Sequence, residues 1–374
     1  MIRVLQFADI INRYDFIDTL VQYADPHEFE MSVCVRSKEH NIAPPVFSAA
    51  TKYKLLSGNS RRDIVPTAWK LARILKEWNI DVIHAHHYYQ GVIAWLATSI
   101  HPRTKFIFGR HYSDLIQNLP GLKRSFYLAL EQKVNHAADR IIVPSTFIYD
   151  ILTKQQKVDG AKIDVVAYGF AAEKYSSLTA DKIEDVRREL DLNNRFVTAS
   201  FGKLTEGKGV RFLIEAIVKL KDKIPNLLVL FVGEGDERGF LEKTIAVNEL
   251  ENTVKILGWR TDAMTIMANA DVVVQPTLSE AFSQVMGEAM WLAKPLIITD
   301  VSGATDIIEN GENGIIVPKG DAGEIALAIE TLYENQILRR TIAKQGRIYV
   351  EENLLINKKI KEYEKTFIKA VHSN

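Results

Sequence analysis

Short apolar runs rich in β-branched residues alternate with stretches of helical periodicity along the whole chain, and this alternation restricts the fold more than any other feature. In the first half the runs are residues 2–7, 29–35, 82–84, 106–108, 141–143 and 163–166, with helical patterns at 64–78, 122–136 and 146–153. Runs that are apolar on both faces suit parallel strands covered by helices on each side, so this half reads as an open, doubly wound α/β domain. The pattern restarts after about residue 190 with runs at 196–201, 227–232, 254–257, 272–274, 296–298 and 315–317. The fold class is therefore α/β with two Rossmann-like, doubly wound domains, which also suits 374 residues, too many for one ordinary core.

Gly169, within Val165-Val166-Ala167-Tyr168-Gly169-Phe170, supplies a permissive backbone where the first sheet has ended, and the linker is expected there. The domains are then residues 1–167 and 170–352. The tail 355–371 alternates Lys and Glu around Ile360, Tyr363, Phe367 and Ile368, a helical pattern that needs an apolar surface to cover, and it is expected to pack back on the first domain. Two such domains facing across a cleft offer a nucleotide-containing ligand the carboxyl ends of two parallel sheets.

Composition narrows the partners. Lys+Arg and Asp+Glu both number 47, so no global field draws the chain to nucleic acid, and any basic site must be local. No run of about 18 apolar residues occurs, and the chain enters its first strand without a leader pattern. The single cysteine, Cys34, sits in the apolar run 31–35. Together these give the expectation of a cytoplasmic protein and leave a peripheral membrane contact open.

The most informative segment, residues 275–290, reads as a strand end, a polar loop and a helix. With a helix start near Phe282, the N–H groups of Ser283, Gln284 and Val285 lie in a first turn without intrahelical partners and can hold phosphate oxygens. The positive end of the helix dipole and the Ser283 hydroxyl add to this. Glu288, about one and a half turns in, can accept from a ribose diol. Glu280, ahead of the helix, can accept from sugar hydroxyls or serve only as a helix N-terminal charge. Countercharge stands in Gly202-Lys203-Leu204-Thr205-Glu206-Gly207-Lys208-Gly209, where glycines permit close backbone approach and Lys203 and Lys208 bring ammonium groups. Alone, such lysines are more often solvated.

In order, Gly202-Lys203 with Lys208-Gly209, Val232-Gly233-Glu234-Gly235, Leu257-Gly258, Glu280-x7-Glu288-Ala289 and Ala293-Lys294-Pro295-Leu296 resemble the motifs of the retaining glycosyltransferases of family 4, which adopt the GT-B fold. The resemblance covers roughly residues 196–320. It implies that Lys203 and Lys208 bind the diphosphate of a nucleotide sugar, Glu288 the ribose and Glu280 the donor sugar. Phe282, Ser283, Gln284 and Val285 would surround phosphates and sugar, Gly202 and Gly233 complete the donor site, and the base would lie near Leu257, Gly258 and Trp259. The sequence departs from the family where Lys203 stands for Arg, Ala293 for Gly, and Ser302-Gly303-Ala304-Thr305-Asp306 for a Gly-Gly-x-Pro-Glu run.

The resemblance assigns the acceptor to the first domain. The family's first strand-to-helix loop carries a glycine pair; residues 7–15 have none, and Asn12 or Arg13 is expected to take its place. His111, at a strand end, resembles the family's loop histidine near the transferring sugar and joins Lys203, Lys208 and Glu280 as catalytic. Asp81, His84 and His86 match the family's strand-end Asp-x-x-His-x-His, which makes His86 a further candidate. Because His84, His86 and His87 cannot face one ion together without distortion, no metal site is expected among them. Arg61, Arg62, Lys70, Arg73 and Lys76, with Trp69 and Trp78, read either as a membrane-facing surface or, the favoured alternative, as a charged helix face whose indoles pack inward.

The expected chemistry is metal-independent transfer of a hexosyl or N-acetylhexosaminyl group from a nucleotide diphosphate sugar to a sugar, lipid-linked or small-molecule acceptor, with retention of configuration, in cell-surface polysaccharide or glycoconjugate synthesis. Lys203, Lys208 and the helix N-terminus would stabilise the departing diphosphate in place of a cation. A non-catalytic nucleotide-sugar-binding subunit, a GT-B epimerase and an inverting transferase are the alternatives. A dehydrogenase is disfavoured because no Gly-x-Gly-x-x-Gly follows the first strand.

Overall fold

The computed structural model describes residues 1–9, 15–37, 49–58, 60–112, 119–175 and 178–372, apart from the side chains of Asp15 and Lys174. The chain forms two compact units, Met1–Gly169 together with Ile356–Asn374, and Phe170–Leu355.

One parallel sheet underlies each unit. In the first, β1 (Ile2–Asp9), β2 (Phe29–Ser37), β3 (Lys52–Ser57), β4 (Val82–His86), β5 (Lys105–Gly109), β6 (Arg140–Val143) and β7 (Ile163–Val165) lie in the order β3-β2-β1-β4-β5-β6-β7. In the second, β8 (Phe196–Phe201), β9 (Leu227–Val232), β10 (Val254–Gly258), β11 (Val272–Gln275), β12 (Leu296–Thr299) and β13 (Ile315–Val317) lie in the order β10-β9-β8-β11-β12-β13. The sequence pattern missed β3, whose Lys52-Tyr53-Lys54 start interrupts apolar periodicity; as the edge strand beside β2 it has less to bury.

Both orders reverse at one place, between β1 and β4 in the first sheet and between β8 and β11 in the second. Chains leaving two such strands turn to opposite faces of the sheet, which leaves a crevice at the strands' carboxyl ends. Register sets what meets there: Gln6 pairs with His84 across β1 and β4, and Val272 with Thr198 across β11 and β8.

Helices pack against these sheets. Leu213, Ile214, Ile217 and Leu220 recur at helical spacing on Val210–Leu220 and pack with Val229, Phe231, Ile325, Ile329 and Leu332, all essentially buried. Each such side chain contributes about 1.5–3 kcal/mol of burial. The helix Ile356–His372 belongs to the first unit and buries Ile360, Tyr363, Phe367 and Ala370. Its Tyr363 hydroxyl donates to the Val166 carbonyl at 3.4 Å, its Glu364 accepts from the Asp25 N–H at 2.8 Å, and Lys369 lies 2.7 Å from Asp164.

One expectation is corrected. The helix Ile64–Glu77 buries Thr67, Ala68, Leu71, Ala72, Ile74 and Leu75. That stripe leaves Trp69 on the opposite face, 58% exposed, so its indole does not pack inward.

Candidate active site

At the second switch point the loop after β8, residues 202–209, runs beside the loop after β11, residues 276–283. The Leu278 N–H donates to the Gly207 carbonyl at 2.9 Å. Gly209, with φ 64°, approaches Pro276 so closely that a Cβ would stand 1.8 Å from the Pro276 carbonyl oxygen. This seam brings together two side chains distant in sequence: Lys208 Nζ is 2.7 Å from Glu280 Oε1. Glu280 Oε2 is buried without a hydrogen-bond partner and can accept from a sugar hydroxyl. Lys203 stands exposed on the same loop as Lys208.

The helix after this loop is Gln284–Trp291, two residues later than the spacing suggested. Ser283 is its N-cap, and the Ser283 Oγ accepts from the Met286 N–H at 3.3 Å. A serine placed so satisfies one orphan donor and keeps its own hydrogen for a ligand, while the Gln284 and Val285 N–H groups occupy the open first turn. Phe282 is buried against Gly303, and the Ser302 hydroxyl donates to the Ala281 carbonyl at 3.1 Å. The stretch that departs from the family pattern thus supports the loop from below.

Glu288 lies just over one turn into the helix, where its Oε1 accepts from the Tyr175 hydroxyl at 3.2 Å. Tyr175 in turn stacks on Phe170, ring centroids 5.0 Å apart and interplanar angle 8°. Sequence reasoning missed Tyr175, because no local spacing ties a residue of the short turn Ala172–Tyr175 to a carboxylate 113 positions on.

The glycine motifs form one backbone layer. The Gly202 N–H donates to the Val232 carbonyl at 3.0 Å and the Gly233 N–H to the Gly258 carbonyl at 2.8 Å. Gly233, with φ 149°, would place a Cβ 1.8 Å from the Gly202 carbonyl oxygen, so only glycine lets the loops close. No heavy atom lies within 4 Å of a Cβ built on Gly202, which leaves that backbone open to a ligand. Leu257 is half-buried and Trp259 is 73% exposed at the end of β10.

In the first unit, His86 ends β4 and His111 follows β5. His86 Nε2 is 2.7 Å from Gln6 Oε1, His86 Nδ1 is 2.9 Å from His111 Nε2, and His111 Nδ1 is 2.7 Å from the Tyr168 hydroxyl. An amide oxygen only accepts, so His86 carries its proton on Nε2 and offers its Nδ1 lone pair to the His111 Nε2–H. His111 Nδ1 then accepts from Tyr168. Burial, reinforced by neighbouring histidines, pushes both imidazoles well below the ordinary histidine pKa, and both are neutral. Residues on either side of His111 are clamped: Arg110 Nε donates to Glu131 Oε1 at 3.0 Å, the Tyr112 hydroxyl to the same oxygen at 2.5 Å, and Gln156 Nε2 to Glu131 Oε2 at 2.6 Å. Gln6, Tyr168 and Glu131 carried no sequence signal for this role. Asn12 and Arg13 lie outside the described residues.

Comparison with known proteins follows the same division. The family model described as Glycosyltransferase Family 4 matches residues 16–174, and the one described as Glycosyl transferases group 1 matches residues 182–349. The capsular polysaccharide biosynthesis glycosyltransferase CapM of Staphylococcus aureus is 31% identical over 264 residues, covering 68% of each chain. The chain belongs to the family 4 glycosyltransferases. A second relative of this glycosyltransferase, the UDP-Gal:alpha-D-GlcNAc-diphosphoundecaprenol alpha-1,3-galactosyltransferase of Escherichia coli, is 23% identical over 309 residues, 80% of this chain and 78% of the other. Among solved structures, Anabaena Alr3699/HepE in complex with UDP has a TM-score of 0.82 at 23% identity, covering 97% of this chain and 98% of that one. A glycosyltransferase from Rickettsia africae has a TM-score of 0.82 at 21% identity, covering 100% and 99%. These place the two Rossmann-like units of this glycosyltransferase in the GT-B class.

Proposed function

We propose that this glycosyltransferase moves a hexosyl or N-acetylhexosaminyl group from a nucleotide diphosphate sugar to a sugar, lipid-linked or small-molecule acceptor, with retention and without a metal, in cell-surface polysaccharide or glycoconjugate synthesis. The observation that carries the reading is the Lys208–Glu280 pair, 2.7 Å apart at the second switch point, just ahead of the open N-terminus of Gln284–Trp291. Lys208, Lys203 and that helix end take the diphosphate charge. The free oxygen of Glu280 accepts from the donor sugar, and Glu288, oriented by Tyr175, accepts from the ribose.

In the transfer step the bond from the anomeric carbon to the diphosphate oxygen breaks, and negative charge grows on that oxygen beside Lys208. The acceptor hydroxyl forms the new bond on the same face, and its proton passes to the departing phosphate oxygen. His111 is the acceptor-side candidate by resemblance, contributing its neutral ring or its backbone carbonyl.

UDP and UDP-glucose in the HepE complexes support a uridine donor. The diphosphoundecaprenol in the name of the E. coli relative supports a lipid-linked acceptor. So do the first two turns of the helix Gly121–Ala137, where Leu122 is 91% and Phe126 66% exposed beside Lys123 and Arg124, a surface suited to an anionic bilayer. Among the described residues no helix is long and apolar enough to cross a membrane.

The test is thermal stabilisation by UDP, GDP and ADP sugars, repeated on Glu288→Ala and Lys208→Ala, followed by anomeric NMR of the product. Donor stabilisation unchanged in both variants overturns the site, and an inverted anomer overturns retention.

A further inference from the structure

Gly109, the last residue of β5, faces three imidazoles. A Cβ built on it would stand 2.7 Å from His111 Nε2, 2.8 Å from His84 Nε2 and 3.3 Å from His86 Nδ1. Any side chain at this one position would collide with the rings, so glycine is what lets the three ring nitrogens converge beside the end of β5. One ligand atom from each histidine can be chosen so that all lie within 4.8 Å of one another. His84 is fully buried, its ring centroid 4.1 Å from that of His86, and neither of its nitrogens has a hydrogen-bond partner. A buried imidazole with both nitrogens unmet is unfavourable unless some group comes to meet it.

We propose that His84, His86 and His111 bind a zinc-class divalent cation through His84 Nε2, His86 Nδ1 and His111 Nε2, seated above Gly109. Neutral imidazoles are borderline-soft donors that suit Zn²⁺, Co²⁺, Ni²⁺ and Cu²⁺, whereas Mg²⁺ and Ca²⁺ prefer the carboxylate and carbonyl oxygens that this set lacks. Reaching metal–nitrogen distances of about 2.0–2.1 Å requires the contact between His86 Nδ1 and His111 Nε2, 2.9 Å apart, to open around the ion and the His84 ring to close on the pair. The groups that orient two of the rings already stand on the sides away from the ion: Gln6 Oε1 holds His86 Nε2–H, and the Tyr168 hydroxyl meets His111 Nδ1. Binding moves the His111 proton from Nε2 to Nδ1, where it is donated to Tyr168 as that hydroxyl turns to accept. His111 stays neutral, and no net proton is released. Three protein ligands leave a fourth position for water or another oxygen ligand. The ion has no part in neutralising the donor diphosphate, which is assigned to Lys203 and Lys208 in the other unit, so this site stands or falls apart from the donor assignment; with His111 holding the ion, that residue's backbone carbonyl rather than its ring serves the acceptor side.

Calorimetric titration of the chelator-stripped, full-length protein with Zn²⁺, and spectroscopic titration with Co²⁺, test the site. One ion per chain is expected, with the visible ligand-field bands of an imidazole-bound Co²⁺ centre. His84→Phe keeps an aromatic ring in place and is expected to weaken binding by at least about 100-fold. Gly109→Ala retains every histidine, drives a methyl group against the three ligand nitrogens, and is expected to abolish the bands. Circular dichroism identifies which variant is folded, and either one suffices. Absence of stoichiometric binding to the wild-type protein overturns the proposal, as does unchanged binding in a folded variant, which would place the ion on surface histidines.

Discussion

The Lys208 ammonium and the Glu280 carboxylate stand 2.7 Å apart although 72 positions separate them in the chain. Each is the charge that holds the other in place, and in the proposed donor site a diphosphate would draw the ammonium while sugar hydroxyls satisfy the carboxylate. Lys208→Met is therefore expected to weaken binding of the nucleotide sugar about 10- to 100-fold, the value of a charge-assisted hydrogen bond of about 1.5–3 kcal/mol. Titration calorimetry with donor measures it, and a loss below threefold would show that the pair does not contact the phosphates.

Tyr175 orients Glu288 through one hydrogen bond of 3.2 Å. Tyr175→Phe removes it and is expected to lower affinity for the nucleoside diphosphate about 3- to 10-fold. Glu288→Ala should cost more, and the double variant no more than Glu288→Ala alone, because the tyrosine acts through the carboxylate.

Gly233 carries the fit between the first two strand-end loops of the second unit. A methyl there meets the Gly202 carbonyl oxygen at 1.8 Å, and φ 149° is unfavourable for any side chain. Gly233→Ala is expected to destabilise this unit by about 2 kcal/mol or more and to displace Lys203 with its loop. Urea denaturation followed by donor titration reads both effects.

Chelator treatment is expected to leave transfer at its untreated rate, since the proposed donor site meets the diphosphate with lysines and a helix end rather than with a cation. Loss of activity in EDTA, restored by Mg²⁺, would contradict the proposed mechanism.

Asp164 should act as an acid-sensitive anchor of the first unit. Burial opposes ionisation of Asp164, but the bonds from Lys369 and Arg140 outweigh it and hold its carboxyl below the usual carboxylate value. The folded pKa lies below the unfolded one, so the contribution is complete above about pH 4 and is lost as pH falls through the folded value. Asp164→Asn should reduce stability by about 1–2 kcal/mol at pH 7, with the difference from wild type shrinking below about pH 4 in denaturation curves.

Much of this protein was decided by neighbouring residues. Parallel strands, their helices, the unit boundary at Gly169 and Phe170, and the polar loop holding Glu280 are local patterns: apolar periodicity, glycines at strand ends, and a serine ahead of a helix. They are legible because the backbone geometry they specify depends on residues a few positions away. β3 escaped because an edge strand need not be apolar, and Trp69 was misread because one indole can lie on either side of a helical stripe. Tertiary structure alone decided which side chains meet. Strand order put β8 beside β11, and so Lys208 against Glu280; it put β4 between β1 and β5, and so His86 between Gln6 and His111. Such pairings arise when two sheets bury their faces as wholes, a cooperative outcome that no window of the sequence contains.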